Sequence, residues 1–408
     1  MRIFILSVCY PPMIISGAKL IYDLAKELSA LGHEVTVITL DEGQQVPIAT
    51  SIEEGVEVVR IRSGKIRQAS RVTRAISEIR LSEVIWKAGK TFFEARTCDL
   101  LVGYSPTIFW GGLSERLRAL YGCRRYLILR DIFPQWAVDA GLLNRHGLVY
   151  WYFRRQELRL YRSFESIGIE SAANLPYFSA LRPVHRGVEV LYNWSKVEGL
   201  HRKSFGLRER FGLKRKVIFV YGGNLGVAQD MNNILRLATS VQDQTHLFFV
   251  LVGEGSEADR IGREIERLHL QNVLLLPPVP QEHYMEIIGE CDVGLITLKK
   301  DLKTCNIPGK ILGYMEMRKP TLASVNPGNE LTKIIGDHEV GEVCINGDDA
   351  QLREAALRLA ADPEKRKAMG ERAFALLKEK FDVRAAAKQI LSQELVAGPS
   401  KAAIVDAG

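Results

Sequence analysis

Short apolar runs of strand length alternate along the chain with stretches whose apolar residues recur at helical spacing. The first run, residues 2–10 (RIFILSVCY), reads as a strand. A loop with Pro11, Pro12 and Gly17 follows, then Leu20, Leu24, Leu28 and Leu31 at helical spacing, with Gly32 where a C-terminal cap belongs. Residues 34–40 (EVTVITL) restart the strand pattern, so the opening is a βαβ unit and predicts a parallel sheet. Further strands are expected at 56–61, 99–106, 124–131, 165–171 and 187–194. Helices are expected from about residue 70, around 113–120, over 136–143 and over 147–164.

Between residues 196 and 216 the sequence turns polar and charged, and the alternation then begins again. Strands are predicted at 217–220, 246–253, 272–278, 292–298 and 320–325, with helices between them and a closing helix over 383–395. The pattern predicts an α/β fold of two Rossmann-like domains, residues 1–195 and 196–382, followed by a closing helix and tail, 383–408. At 408 residues the length fits two domains.

Composition narrows the class. A hydrophobic content of 47% and a charged content of 25% are those of a globular protein. No apolar run approaches the ~18–20 residues that cross a bilayer. The opening apolar stretch is short, runs into two prolines and lacks an A-x-A pattern, so it reads as a strand and the expected location is cytoplasmic. Six scattered cysteines with no C-x-x-C pair argue against a zinc site or disulfide framework. From Arg60 to Arg96 ten Lys/Arg stand against three Glu, and 10 − 3 = +7 equals the excess of the whole chain. Such a segment, with Arg71, Arg74 and Arg80, suits nucleic acid, an anionic membrane surface or a solvated helix face. No RNA-binding signature accompanies it.

Three stretches carry candidate chemistry. The first is VIFVYGGNLGVAQ (217–229), a strand running into a glycine turn and then a helix. Gly222, Gly223 and Gly226 let a ligand approach main-chain N–H groups, and such groups at a helix start hold anions; a tight turn with no ligand is the competing account. The second is Asp131, at the end of a buried strand, placed either to orient an acceptor hydroxyl or to cap the next helix. The third is GLVYWYFRRQELRLYRSF (147–164), where Trp151, Arg154 and Arg155 lie among aromatics. That is the composition of an interfacial helix, or of a helix docked on its own core with solvated arginines.

Taken in order, PPxxxSGA, strand-GGNLGxAQ, GEG, PPVPQEHY and NIPGKILGYMEMRKP resemble the retaining glycosyltransferases of the GT-B fold. The likeness is to bacterial enzymes that add amino sugars, such as N-acetylfucosamine, to lipid-linked O-antigen or capsule precursors. It implies two Rossmann-like domains facing a cleft. The C-terminal domain would hold a nucleotide-diphosphate sugar, UDP above all, and the N-terminal one a polyprenyl-diphosphate-linked acceptor. It implies Gly223, Asn224, Gly226 and Gln229 at the diphosphate, Gly253 and Glu254 near the nucleoside, Val279 and Pro280 at the base, and Ser16 and Gly17 on the opposite domain. It implies no metal and no cofactor, leaving the diphosphate to backbone N–H groups and Lys310. Location would be peripheral, on the inner face of the cell membrane.

The chain departs from that family where two glutamates seven residues apart are usual. Cys305 and Gly313 stand there, with Glu316 three residues on as a substitute, and Gln135 replaces another common Glu. Two other functions fit the same motifs: a UDP-sugar 2-epimerase, and a non-catalytic nucleotide-sugar-binding or scaffold protein. The missing glutamates favour the latter.

Overall fold

The computed structural model describes the chain except residues 14, 65–76, 140, 182–186, 198–202, 303–306 and 393–408. Two compact units emerge. One comprises Met1–Glu170, Asn174–Tyr192 and the chain from Val383; the other comprises Asn193–Asp382 with Ser171–Ala173.

The strands of the first unit are β1 (Arg2–Leu6), β2 (Glu34–Asp41), β3 (Ile48–Glu53), β4 (Val56–Arg62), β5 (Leu100–Ser105), β6 (Arg124–Leu129), β7 (Ser166–Ile169) and β8 (Val188–Val190). They form one sheet in the order β3-β4-β2-β1-β5-β6-β7-β8, parallel apart from β3. The second unit has β9 (Val217–Gly222), β10 (Leu247–Val252), β11 (Val273–Leu276), β12 (Val293–Thr297), β13 (Thr321–Val325) and β14 (Gly341–Ile345), all parallel in the order β11-β10-β9-β12-β13-β14. Near-continuous apolar strands such as LFFVLV are buried on both faces, as helices on both sides of a parallel sheet require.

In both sheets the strand order reverses once, beside β1 in the first and beside β9 in the second. Ligands of open α/β sheets bind at the carboxyl ends of strands at that reversal. Each unit therefore offers one favoured place for a ligand; the glycine stretch follows β9 at one of them, and Asp131 follows β6, two strands from β1 in the other sheet.

The cores explain the elements. In the first unit Trp110 is fully buried and its indole N–H donates to the Tyr104 carbonyl at 2.8 Å. In the second, Phe219 and Phe249 on neighbouring strands stack with centroids 5.4 Å apart.

Several elements differ from expectation. The first strand ends at Leu6, because the Ser7 hydroxyl donates to the Cys9 carbonyl and accepts the Cys9 N–H, turning residues 7–10 off the sheet. The helix expected over 136–143 is the short Gln135–Asp139. Strands β3 and β14 were not expected; β3 is a half-exposed antiparallel edge, and β14 is short. The closing helix Val383–Ser392 packs on the helix Ser16–Ala30 as part of the first unit, its Gln389 amide donating to the Val190 carbonyl. The helix expected from residue 70 is described as Leu81–Glu94; its expected start lies outside the described residues.

Truncating a fully buried aromatic in a packed sheet costs about 3–5 kcal/mol. Phe219→Ala should lower the unfolding free energy of the second unit by that amount, read from its urea transition, while a first-unit probe stays put. A change below roughly 1 kcal/mol would contradict this packing.

Candidate functional site

The glycine stretch of the second unit is locked to the next strand end, backbone to backbone. The Gly223 N–H donates to the Val252 carbonyl at 2.9 Å, and the Leu225 N–H donates to the Glu254 carbonyl at 2.7 Å. A Cβ on Gly253 would lie 1.9 Å from the Gly223 carbonyl oxygen, so only glycine permits the approach. Gly223 itself has φ +114°, a conformation L side chains rarely adopt. The alternation has a consequence. Residues 223 and 225 turn their amides inward, and among the described residues the amides of Asn224 and Gly226 meet no acceptor. Gly223 and Asn224 are exposed. Two unengaged amides, one on exposed Asn224 and one on buried Gly226, are the kind of N–H groups that build an anion-binding concavity.

Side chains brace this turn. The Tyr221 hydroxyl donates to the Asn224 carbonyl at 2.7 Å, and the Asn224 side-chain amide donates to Gln229 Oε1 at 3.1 Å. The Tyr284 ring fills the space a Cβ on Gly222 would need. Its hydroxyl lies 3.5 Å from that of Tyr314, which donates to the Leu295 carbonyl at 3.0 Å. These tyrosines belong to PPVPQEHY and KILGYMEM, and neither was singled out from the sequence.

Lys310 opens the helix Lys310–Glu316 and sets its Nζ 4.0 Å from the Tyr221 ring centroid. Its Cε is the nearest atom to where a Gly223 Cβ would stand, at 3.9 Å, so the ammonium adjoins the turn. Burial pulls its pKa down to about 7. Glu254, exposed, and half-buried Val279 with exposed Pro280 follow β10 and β11, the next strands along the sheet.

Other expected residues take different places. Glu316 is buried, and its carboxylate accepts the Ser195 hydroxyl at 3.2 Å, which gives it a structural post in place of an open catalytic one. Gln229 holds Asn224 rather than standing free. Gly313 is half-buried with ordinary clearance to Met285, and Cys305 lies outside the described residues.

In the first unit a cavity of about 910 Å³ opens at the carboxyl ends of β1, β2, β4, β5 and β6. One part of its wall is polar, with Tyr10, Thr39, Arg60, Ser63 and Asp131. Another is aromatic: Phe133 and Phe153 meet at 4.9 Å, with Phe109 at 6.4 Å from Phe153 and Trp136 at 5.9 Å from Phe133. Arg60 is tied to Glu53 and donates to the Pro11 carbonyl at 2.9 Å, pinning the proline loop. Asp131 is half-buried, and burial raises its carboxyl pKa against the pull of Arg130. It caps no helix: the first turn of Gln135–Asp139 bonds to the Ile132 carbonyl instead. Gln135 donates to Asp139 at 2.9 Å. Ser16 and Gly17 begin the helix Ser16–Ala30, where a Cβ on Gly17 would meet the Tyr104 hydroxyl at 2.8 Å.

The helix Leu148–Arg162 presents Leu148, 89% exposed, and Trp151, 60% exposed, beside exposed Val149 and Arg155. Arg154 does not join that face. It turns inward to the fully buried Glu157 at 2.5 Å and to Tyr177. Arg80 is exposed at the start of Leu81–Glu94, and Arg71 and Arg74 lie outside the described residues.

Two Rossmann-like units, one bearing the glycine turn and the other the amphipathic cavity, have the architecture of the GT-B fold. Residues 17–194 match the Glycosyl transferase 4-like domain and residues 207–375 the Glycosyl transferases group 1 family, and together they place the chain in that family. The Probable glycosyltransferase WbjE of Pseudomonas aeruginosa is 24% identical over 338 residues, 82% of each chain. WcaI of Escherichia coli, named for colanic acid biosynthesis, is 23% identical over 388 residues, 88% of this chain and 92% of its own. Among solved structures, Anabaena HepE in complex with UDP-glucose superposes with a TM-score of 0.68 at 16% identity, covering 96% of this chain and 98% of its own.

Because Lys310 holds fewer protons folded than unfolded between about pH 7 and its ordinary range, stability contributed through it rises with pH across that window. Relative to Lys310→Met, the wild-type melting temperature should climb from pH 7 to pH 10. A constant difference would contradict the lowered pKa of the half-buried ammonium.

Proposed function

We propose that the protein transfers a sugar, with retention, from a UDP-sugar to a saccharide carried on polyprenyl diphosphate, at the cytoplasmic face of a bacterial membrane. An N-acetylated amino sugar such as N-acetylfucosamine is the proposed cargo, and O-antigen or capsule the proposed product. The observation that carries this is the pair of free amides at Asn224 and Gly226 beside Lys310. Supporting it are the family match and the names of WbjE and WcaI, together with the UDP-glucose held by HepE.

In this mechanism the donor diphosphate lies on the glycine turn, with Glu254, Val279 and Pro280 toward the nucleoside. The acceptor occupies the first-unit cavity, where Asp131 orients its hydroxyl. That hydroxyl attacks the anomeric carbon on the face the diphosphate leaves, the bond to the diphosphate breaks, and the proton goes with the departing oxygen. The negative charge developing on the diphosphate is met by the two amides, already in position, and by the Lys310 ammonium, without a metal ion. A diphosphate beside Lys310 favours its charged form, so donor binding takes up a proton above about pH 7.

Exposed Leu142, Leu148, Val149 and Trp151 with Arg145, Arg155 and Arg162 give an apolar surface flanked by positive charge. Such a surface enters a lipid interface and is drawn to anionic headgroups. Among the described residues no helix is long and apolar enough to cross a membrane. Attachment is therefore proposed to be peripheral.

Incubation with a panel of UDP-sugars and a short lipid-diphosphate-linked sugar should yield extended product, with kcat reduced about 10²–10⁴-fold in Asp131→Asn. Donor epimerisation without transfer would point to the epimerase, and tight donor binding with neither reaction to a binding protein. Binding to anionic vesicles should fall with added salt and with Leu148→Asp or Trp151→Asp. Equal binding by these variants would remove the helix from the membrane contact.

A further inference from the structure

Three hydroxyls in the wall of the first-unit cavity have no hydrogen-bond partner among the described residues: Tyr10 Oη, Thr39 Oγ1 and Ser63 Oγ. They come from, or just beyond, the carboxyl ends of β1, β2 and β4, which are neighbours in the sheet. Tyr10 and Thr39 are each only 2% exposed. Buried hydroxyls in folded proteins are nearly always paired, and leaving one unpaired costs stability. Of the five hydroxyls in that condition among the described residues, three line this one cavity. Asp131 shares the cavity, and its carboxylate accepts no hydrogen bond from a described residue.

The chemistry of the set defines its partner. Hydroxyls both donate and accept, so they match groups that do the same. Among the described residues of this wall the cation is Arg60, which is already tied to Glu53 and to the Pro11 carbonyl and pins the loop that carries Tyr10. An anionic sugar would need a cation with freedom to pair, whereas a neutral polyol needs only hydroxyls. The aromatic part of the wall, from buried Phe109 to exposed Trp136, suits the apolar face of a sugar ring or the first units of a lipid chain.

We propose that Tyr10, Thr39 and Ser63 read the hydroxyl groups of an uncharged acceptor sugar, and so set acceptor specificity. The inference rests on the assignment of this cavity to the acceptor. In it the free protein tolerates three unsatisfied hydroxyls whose partners arrive with the substrate. Function and stability then separate, because deleting an unpaired buried hydroxyl does not weaken the free protein.

The test compares farnesyl-diphosphate-linked N-acetylglucosamine with farnesyl diphosphate alone, by titration of the full chain and of Tyr10→Phe, Thr39→Val and Ser63→Ala. Each variant is expected to bind the sugar-bearing compound about 5- to 100-fold more weakly, the bare diphosphate unchanged, and to melt no lower than wild type. Unchanged affinity for both compounds overturns the inference. So does a lowered melting temperature with unchanged affinity, which would mean that internal water serves these hydroxyls. If the wild type binds both compounds equally well, the sugar is not read here and the inference fails while the acceptor site stands. If it binds neither, the acceptor assignment fails with it.

Discussion

The second unit depends on a contact in which main chain touches main chain. Gly253 comes so near the Gly223 carbonyl that no Cβ fits between them, and two hydrogen bonds hold the strand ends together on either side. That closeness fixes which amides turn inward and which remain for a ligand. The electropositive element is the backbone, and Lys310 reaches it from a different helix through the face of Tyr221. A turn held this way needs no rearrangement when charge develops on a leaving group, which is the condition for strong electrostatic stabilisation.

Support for the turn comes from farther along the chain. Tyr284 sits where Gly222 lacks a side chain, and Tyr314 ties that ring's surroundings to the carbonyls of β9 and β12. Gly313, where the family carries a glutamate, lies on the same short helix as Lys310 and Tyr314. The helix keeps its bracing tyrosine and its lysine while lacking the carboxylate. Glu316 does not replace that carboxylate, because it is buried against Ser195. In the proposed donor site the backbone and Lys310 would therefore carry more of the binding than the family pattern implies. In the first unit the division is different: side chains make the site, with hydroxyls and Asp131 on one part of the wall and aromatic rings on another.

Much of the fold was legible because buried parallel strands are apolar on both faces, as in VIFV and LFFVLV, and because glycines punctuate the turns between strands and helices. The edge strand Ile48–Glu53 was not, since its half-exposed residues follow no clean alternation. The glycine turn was legible as a turn, but which amides stay free follows from pairing with residues some 30 positions away, between Gly223 and Val252. Arg154 and Arg155 are adjacent and alike in sequence. One is turned into the unit by Glu157 and the other left in solvent, a difference set by helical phase and by a buried carboxylate three residues on. Tyr10, Thr39 and Ser63 carry no motif at all. Their proximity is a product of strand order, and their lack of partners is visible only in three dimensions.

The central claim, that the amides of Asn224 and Gly226 hold the donor diphosphate, is tested most directly by hydrogen exchange at single-amide resolution with and without UDP, in the presence of EDTA. These two amides should exchange fast in the free protein and become protected at saturating UDP. The already bonded amides of Gly223 and Leu225 should change little. Exchange at Asn224 and Gly226 that is unaffected by bound UDP, or protection that appears only when a divalent cation is supplied, would contradict it.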